Sequence, residues 1–142
     1  MGSKQKFPKK SKPKVLILGG DGYLGWPTAM HFSNRGYPVA VVDNLSKRVW
    51  EAECDSMPLW HTPTLQRRVR LWKEKMRKSI KVYIGDIAAN PRFVYSVFEE
   101  FKPDAIVHYA EQPSAPYSMH GREKAVFTQM NNVSGTLNVL FA

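Results

Sequence analysis

Gly19, Gly22 and Gly25 recur at a G-x-x-G-x-x-G spacing, and Asp43 follows the last of them by 18 residues. Glycine lets a backbone turn tightly and lets a charged ligand approach without meeting a Cβ. In that use Gly19 permits the turn, Gly22 admits a pyrophosphate, and Gly25 lets a following helix lie close to the preceding strand. A carboxylate at the distance of Asp43 accepts the hydroxyls of an adenosine ribose. The chemistry these types predict is a nicotinamide dinucleotide site. Asp43 favours NAD over NADP there because it repels a 2′-phosphate, with Lys47 and Arg48 pulling weakly the other way. The plainer alternative is a glycine turn in some other α/β protein, since the commoner fingerprint is G-x-G-x-x-G.

The elements around the glycines must therefore carry the argument. Val15-Leu16-Ile17-Leu18 reads as a strand buried on both faces. Trp26 to Phe32 reads as a helix with Pro27 in its first turn, stopped at Asn34-Arg35-Gly36. A second strand runs from Pro38 to Asp43, and residues 44–63 read as an irregular insertion. Leu65 to Lys78 is a densely basic helix, with Leu65, Val69, Trp72 and Met76 on one face. A third strand, Ile80 to Ile84, leads to Gly85-Asp86-Ile87. Asn90-Pro91 then starts a helix with Phe93, Val97, Phe98 and Phe101 as its apolar face. Asp104 to Ala110 is a fourth strand, residues 111–119 a loop, and a last helix begins near Glu123. The predicted fold class is α/β, a Rossmann-type parallel sheet in the order 3-2-1-4 with helices on both faces. It ends after the helix that follows strand 4, and every turn named above lies at a carboxyl end of a strand, where such sheets bind ligands.

Composition bounds the rest. In 142 residues there is room for one domain with a core, and a hydrophobic share of 43% is that of a globular protein. Removing the six lysines of residues 1–14 from the net charge of +9 leaves +3, so the charge does not predict a nucleic-acid partner. Residues 1–13 read as a flexible basic tail and residues 14–142 as the domain. The single cysteine, Cys54, provides neither an internal disulfide nor a multi-thiol metal site, and no metal is expected. No run is long and apolar enough to predict a membrane span or a signal segment.

The glycine turn, Asp43-Asn44-Leu45, Gly85-Asp86-Ile87, His108 to Glu111 and Asn131 to Leu137 together resemble the extended short-chain dehydrogenase/reductase family, which includes nucleotide-sugar epimerases and dehydratases. Within it, Glu111 to Ser118 is similar to a branch that builds a sulfonated UDP-sugar from UDP-glucose and sulfite. The resemblance covers residues 14 to 142. It implies that the Tyr23 and Leu24 amides meet the pyrophosphate and that Asn44, Leu45, Ser46, Lys47 and Arg48 flank the Asp43 ribose site, with Arg68 reaching in. It implies that Asp86 and Ile87 bracket the adenine and that Tyr109, Ala110 and Glu111 line the nicotinamide side. Asn132 contacts the cofactor or braces the fourth strand, and Gln112 and Ser114 neighbour the sugar. Bland roles stand beside these: Asp86 as a turn cap, Arg68 on a solvated face, Ser114 as a turn serine, His108 as a satisfied core histidine. The resemblance further implies a UDP-sugar substrate and a homodimer for a full-length enzyme, in the cytoplasm or alternatively a plastid.

Members of that family use a Tyr-x-x-x-Lys pair, in which lysine lowers the tyrosine pKa so that the phenolate takes a hydroxyl proton. The residues four after Tyr23, Tyr37, Tyr83, Tyr95, Tyr109 and Tyr117 are Pro27, Val41, Ile87, Glu99, Pro113 and Gly121. No catalytic residue is therefore assigned, and the expectation is the N-terminal, cofactor-binding portion of a longer enzyme. The alternative expectations are a non-catalytic NAD-binding module and a truncated relative of a UDP-sugar 4-epimerase.

Overall fold

Val15–Leu18 (β1), Val39–Asp43 (β2), Ile80–Ile84 (β3) and Ala105–His108 (β4) form one parallel sheet in the order β3-β2-β1-β4. That is the order which right-handed crossovers predict. The computed structural model describes residues 11–142, so the tail reading of residues 1–13 lies mostly outside the described residues. Val15 stands opposite Val39 on one side and Ala105 on the other, and Asp43 stands opposite Ile84.

The sheet is covered on both faces because its central strands are aliphatic at every position before Asp43. Val15, Ile17, Val39, Val41 and Ile80 pack under Gly25–Asn34 (α1) and Leu65–Met76 (α3), through Trp26, Ala29 and Leu65. Leu16, Leu18, Ala40 and Val42 face the other way, onto Val94, Val97 and Phe101 of Pro91–Phe101 (α4). The two-residue period of a strand thus divides one aliphatic run between two cores. A polar bolt ties α3 to α1: Trp72 Nε1 donates to the buried Ser33 Oγ at 3.0 Å.

Local signals account for the helix ends. Thr64 accepts the Arg67 N–H and Asn90 accepts the Phe93 N–H, each capping the start of its helix. Arg77 and Lys102 end α3 and α4 in the left-handed region, at φ 55° and 52°.

Three expectations need correction. Residues 44–63 are not wholly irregular, since Ser46–Glu53 forms a helix (α2). The 111–119 loop contains a turn of helix, Ala115–Ser118 (α5). The last helix starts at Arg122 and is interrupted: Arg122–Gln129 (α6), a π-helical segment Met130–Ser134, then Gly135–Leu140 (α7). Among the described residues no helix is long and apolar enough to cross a membrane.

Candidate functional site

The carboxyl ends of the strands are held level by bonds that carry the ladder past each strand. Gly19 N–H donates to Val42 O at 2.8 Å, Gly85 N–H to Asp43 O at 3.1 Å, and Tyr109 N–H to Leu18 O at 2.8 Å. Above them opens a cleft of about 780 Å³, within the range of ligand sites. Gly19 has φ +84°, and a Cβ there would meet the Tyr109 carbonyl at 2.7 Å. A Cβ on Gly25 would meet Gly19 O at 1.9 Å, so α1 closes against the turn itself and not against the strand. No side chain caps α1, and no acceptor among the described residues takes the N–H of Tyr23 or Leu24. Open amides at a helix N-terminus suit a pyrophosphate.

Asp43 ends β2 at the rim of this cleft. Its Oδ2 accepts the Asp21 N–H at 2.8 Å and its Oδ1 the Leu45 N–H at 2.7 Å. Burial raises its pKa above the ordinary value, against those two bonds, which favour the carboxylate. The second bond closes a turn that holds Leu45 in the left-handed region, φ 62°, before α2 begins. The remaining acceptor capacity of the carboxylate is what a ribose would use.

Behind Asp43 lies an ion cluster centred on Asp21. Arg48 grips this carboxylate with two bonds, Nε to Oδ2 at 2.6 Å and Nη2 to Oδ1 at 3.0 Å. Arg68 Nη2 pairs with the same Oδ1 and donates to the Asp21 carbonyl at 3.0 Å, while its guanidinium lies 5.0 Å from the Trp26 ring centre. Arg68 is thus turned inward and is not on a solvated face.

The far wall comes from β4 and the last helix. Asn132 Oδ1 accepts the Gln112 N–H at 2.8 Å and its Nδ2 donates to the Gln112 carbonyl at 3.2 Å. Gln112 Oε1 in turn accepts the Ser114 N–H at 2.8 Å, and Ser114 Oγ caps α5 by accepting from Tyr117. Thr136 Oγ1 donates to Glu111 Oε1 at 3.1 Å, and His108 Nε2 lies 3.3 Å from the same oxygen. His108 Nδ1 accepts the Ala110 N–H at 3.2 Å, so a neutral ring with its proton on Nε2 satisfies both neighbours. Burial lowers the His108 pKa, with Glu111 opposing.

Gly19, Gly22, Tyr23, Leu24, Gly25, Asp43, Asn44, Lys47, Ile87, Tyr109, Ala110, Glu111, Gln112 and Ser114 all line the cleft. Leu45, Ser46, Arg48, Arg68, Asp86 and Asn132 are not part of its lining. Asp86 accepts the N–H groups of Ala88 and Ala89 and the Asn44 side-chain amide, which makes it a turn cap tied to the end of β2. Four residues that line or organise the cleft, Asp21, Trp50, Glu53 and Lys124, have no role assigned from the sequence. Asp21 is the hub of the ion cluster. Trp50 of α2 reaches across to Tyr117 of α5 and Phe127 of α6, with ring centres 5.6 and 5.8 Å away. Glu53 and Lys124 add an ion pair at 3.1 Å to that bridge.

The model of the NAD dependent epimerase/dehydratase family matches residues 15–142. The chain is similar to the chloroplastic UDP-sulfoquinovose synthase of Spinacia oleracea, 45% identical over 131 residues, covering 92% of this chain and 27% of that protein. It is 44% identical over 129 residues to the UDP-sulfoquinovose synthase of Sulfolobus acidocaldarius, covering 91% of this chain and 33% of the relative. Among solved structures it resembles a Bifidobacterium longum UDP-glucose 4-epimerase in complex with NAD+ and UDP. There the TM-score is 0.69 at 25% identity, over 90% of this chain and 32% of that one. The chain therefore spans about a quarter to a third of the length of these relatives.

Proposed function

Because this chain belongs to the NAD dependent epimerase/dehydratase family, we propose that it is the NAD-binding portion of an enzyme that converts UDP-glucose and sulfite into UDP-sulfoquinovose. The observation that carries the cofactor half is the cleft itself: open Tyr23 and Leu24 amides at the start of α1, facing a carboxylate fixed at the end of β2. The substrate half rests on likeness to the two UDP-sulfoquinovose synthases.

The residues present fit a dinucleotide. Tyr23 and Leu24 offer backbone donors to the pyrophosphate, Asp43 accepts ribose hydroxyls, and Ile87 supplies apolar surface for the adenine. Tyr109, Ala110 and Glu111 line the nicotinamide side, and Gln112 and Ser114 extend that wall toward the sugar. Leu45, Ser46, Arg48, Arg68, Asp86 and Asn132 act one step back, by fixing these groups. When bound, NAD supplies a reversible hydride acceptor. The protein's own part here is to bind, orient and exclude water. No tyrosine of this chain has lysine four residues on, so no residue of it is assigned to take the hydroxyl proton of the sugar. A UDP-sugar substrate, a homodimer and a cytoplasmic setting, with a plastid as the alternative, belong to the same proposal for the complete protein.

The test is incubation of the complete gene product with NAD, UDP-glucose and sulfite. A sulfonated UDP-sugar is the expected product. UDP-galactose without sulfonation favours the 4-epimerase reading, which the epimerase-like fold supports. Absence of both products from a protein that binds NAD favours a non-catalytic module.

A further inference from the structure

Asp21 stands second after Gly19 in the turn, where the G-x-x-G-x-x-G pattern asks for no particular side chain. Its carboxylate is only 5% exposed, yet it holds two guanidiniums at once. Its backbone N–H, in the same residue, is bonded to the Asp43 carboxylate. The two cations are thus gathered within one residue's span of the group that is to accept the ribose. Left free there, they would form a good receptor for a 2′-phosphate, because guanidinium forks bind phosphate oxygens in pairs.

We infer that Asp21 is a determinant of cofactor selectivity, which engages Arg48 and Arg68 so that neither is available to the 2′-phosphate of NADP. This deepens the dinucleotide reading above and rests on it. Asp43 supplies repulsion toward the phosphate, and Asp21 removes the attraction that would offset it. A carboxylate between two guanidiniums leaves one net positive charge beside Asp43 in place of two. Arg48 is also held by the carbonyls of Thr62 at 3.3 Å and Pro63 at 2.9 Å. Loss of Asp21 therefore leaves its guanidinium beside the turn and does not release it to solvent. Arg68 is confined by the Trp26 ring, and its buried Nε has no partner among the described residues.

The experiment titrates NAD and NADP calorimetrically into the purified chain and reads the ratio of the two affinities. In Asp21→Asn the ratio is expected to move toward NADP by about tenfold or more, the scale of a charge-assisted phosphate contact. Adding Arg48→Met to that variant should return the ratio toward its starting value. Asp43→Asn, with Asp21 intact, should weaken NAD without making NADP the tighter ligand, because both arginines stay engaged. This arm decides the matter if Asp21→Asn does not fold. A folded Asp21→Asn protein whose ratio moves by less than about twofold overturns the inference. So does an Asp43→Asn protein that prefers NADP. A normal NAD isotherm with an unmoved ratio defeats this inference alone. Binding of neither dinucleotide by the unsubstituted chain defeats the dinucleotide reading, and this one with it.

Discussion

At the scale of single residues, the site depends on which protons are fixed. His108 accepts the Ala110 N–H through Nδ1 and faces Glu111 through Nε2, an arrangement that only the neutral ring satisfies. Its pKa lies below the ordinary 6.5, chiefly through burial. A group whose folded pKa is depressed contributes stability that is complete above the unfolded value and lost as pH falls through the folded value. Urea midpoints should therefore decline as pH drops below 6.5, and His108→Gln should flatten that slope; an unchanged slope in the variant would assign it to other groups. Asp43 could be read from spacing because an acid at the end of β2 has one geometry relative to the glycine turn. Arg68 could not. Seven cations crowd residues 65–78, and nothing local marks the one whose acceptor, Asp21, lies 47 residues earlier. Asp86 was equally open, since a turn cap and an adenine acceptor present the same side chain.

At the scale of elements, strands and crossovers were legible and the pieces that shape the cleft were not. Four aliphatic residues in β1 and the run Val39 to Val42 in β2 bury on both faces whatever else the chain does. Their order then follows from right-handed connections. α2 was hidden because it buries no residue fully and takes its support from afar. Trp50 packs on Tyr117 and Phe127, almost seventy residues or more along the chain. The π-helical segment was hidden for another reason. It changes no composition, only the phase of a helix, and that phase lets Asn132 reach Gln112 while Thr136 reaches Glu111. Trp50→Ala should remove aromatic contacts worth about 0.5–1.5 kcal/mol. Hydrogen exchange should then quicken through residues 46–53 while β1 and β2 keep their protection. Equal exchange in α2 before and after would show that the aromatic bridge does not hold it.

At the scale of the whole molecule, the sheet and its last helix both present surface that a partner could cover. β4 is an outer strand with Ala105 and Ile106 exposed, and Met130, Val133, Leu137, Leu140 and Phe141 are exposed along the final helical stretch. Unpaired strand edges and apolar faces of this kind pair with one another. Sedimentation of the 142-residue chain should accordingly show association that grows with concentration, and a clean monomer across the range would contradict that expectation. The central property of the molecule is whether its cleft takes NAD. The most direct measurement is calorimetric titration of NAD into the purified chain and into its Asp43→Ala variant. Saturable binding is expected, at one site per chain, weakened in the variant by about ten- to a hundredfold, the loss of hydrogen bonds to a charged acceptor. No binding to the unsubstituted chain, or equal binding to both proteins, would contradict the assignment of this cleft to a dinucleotide.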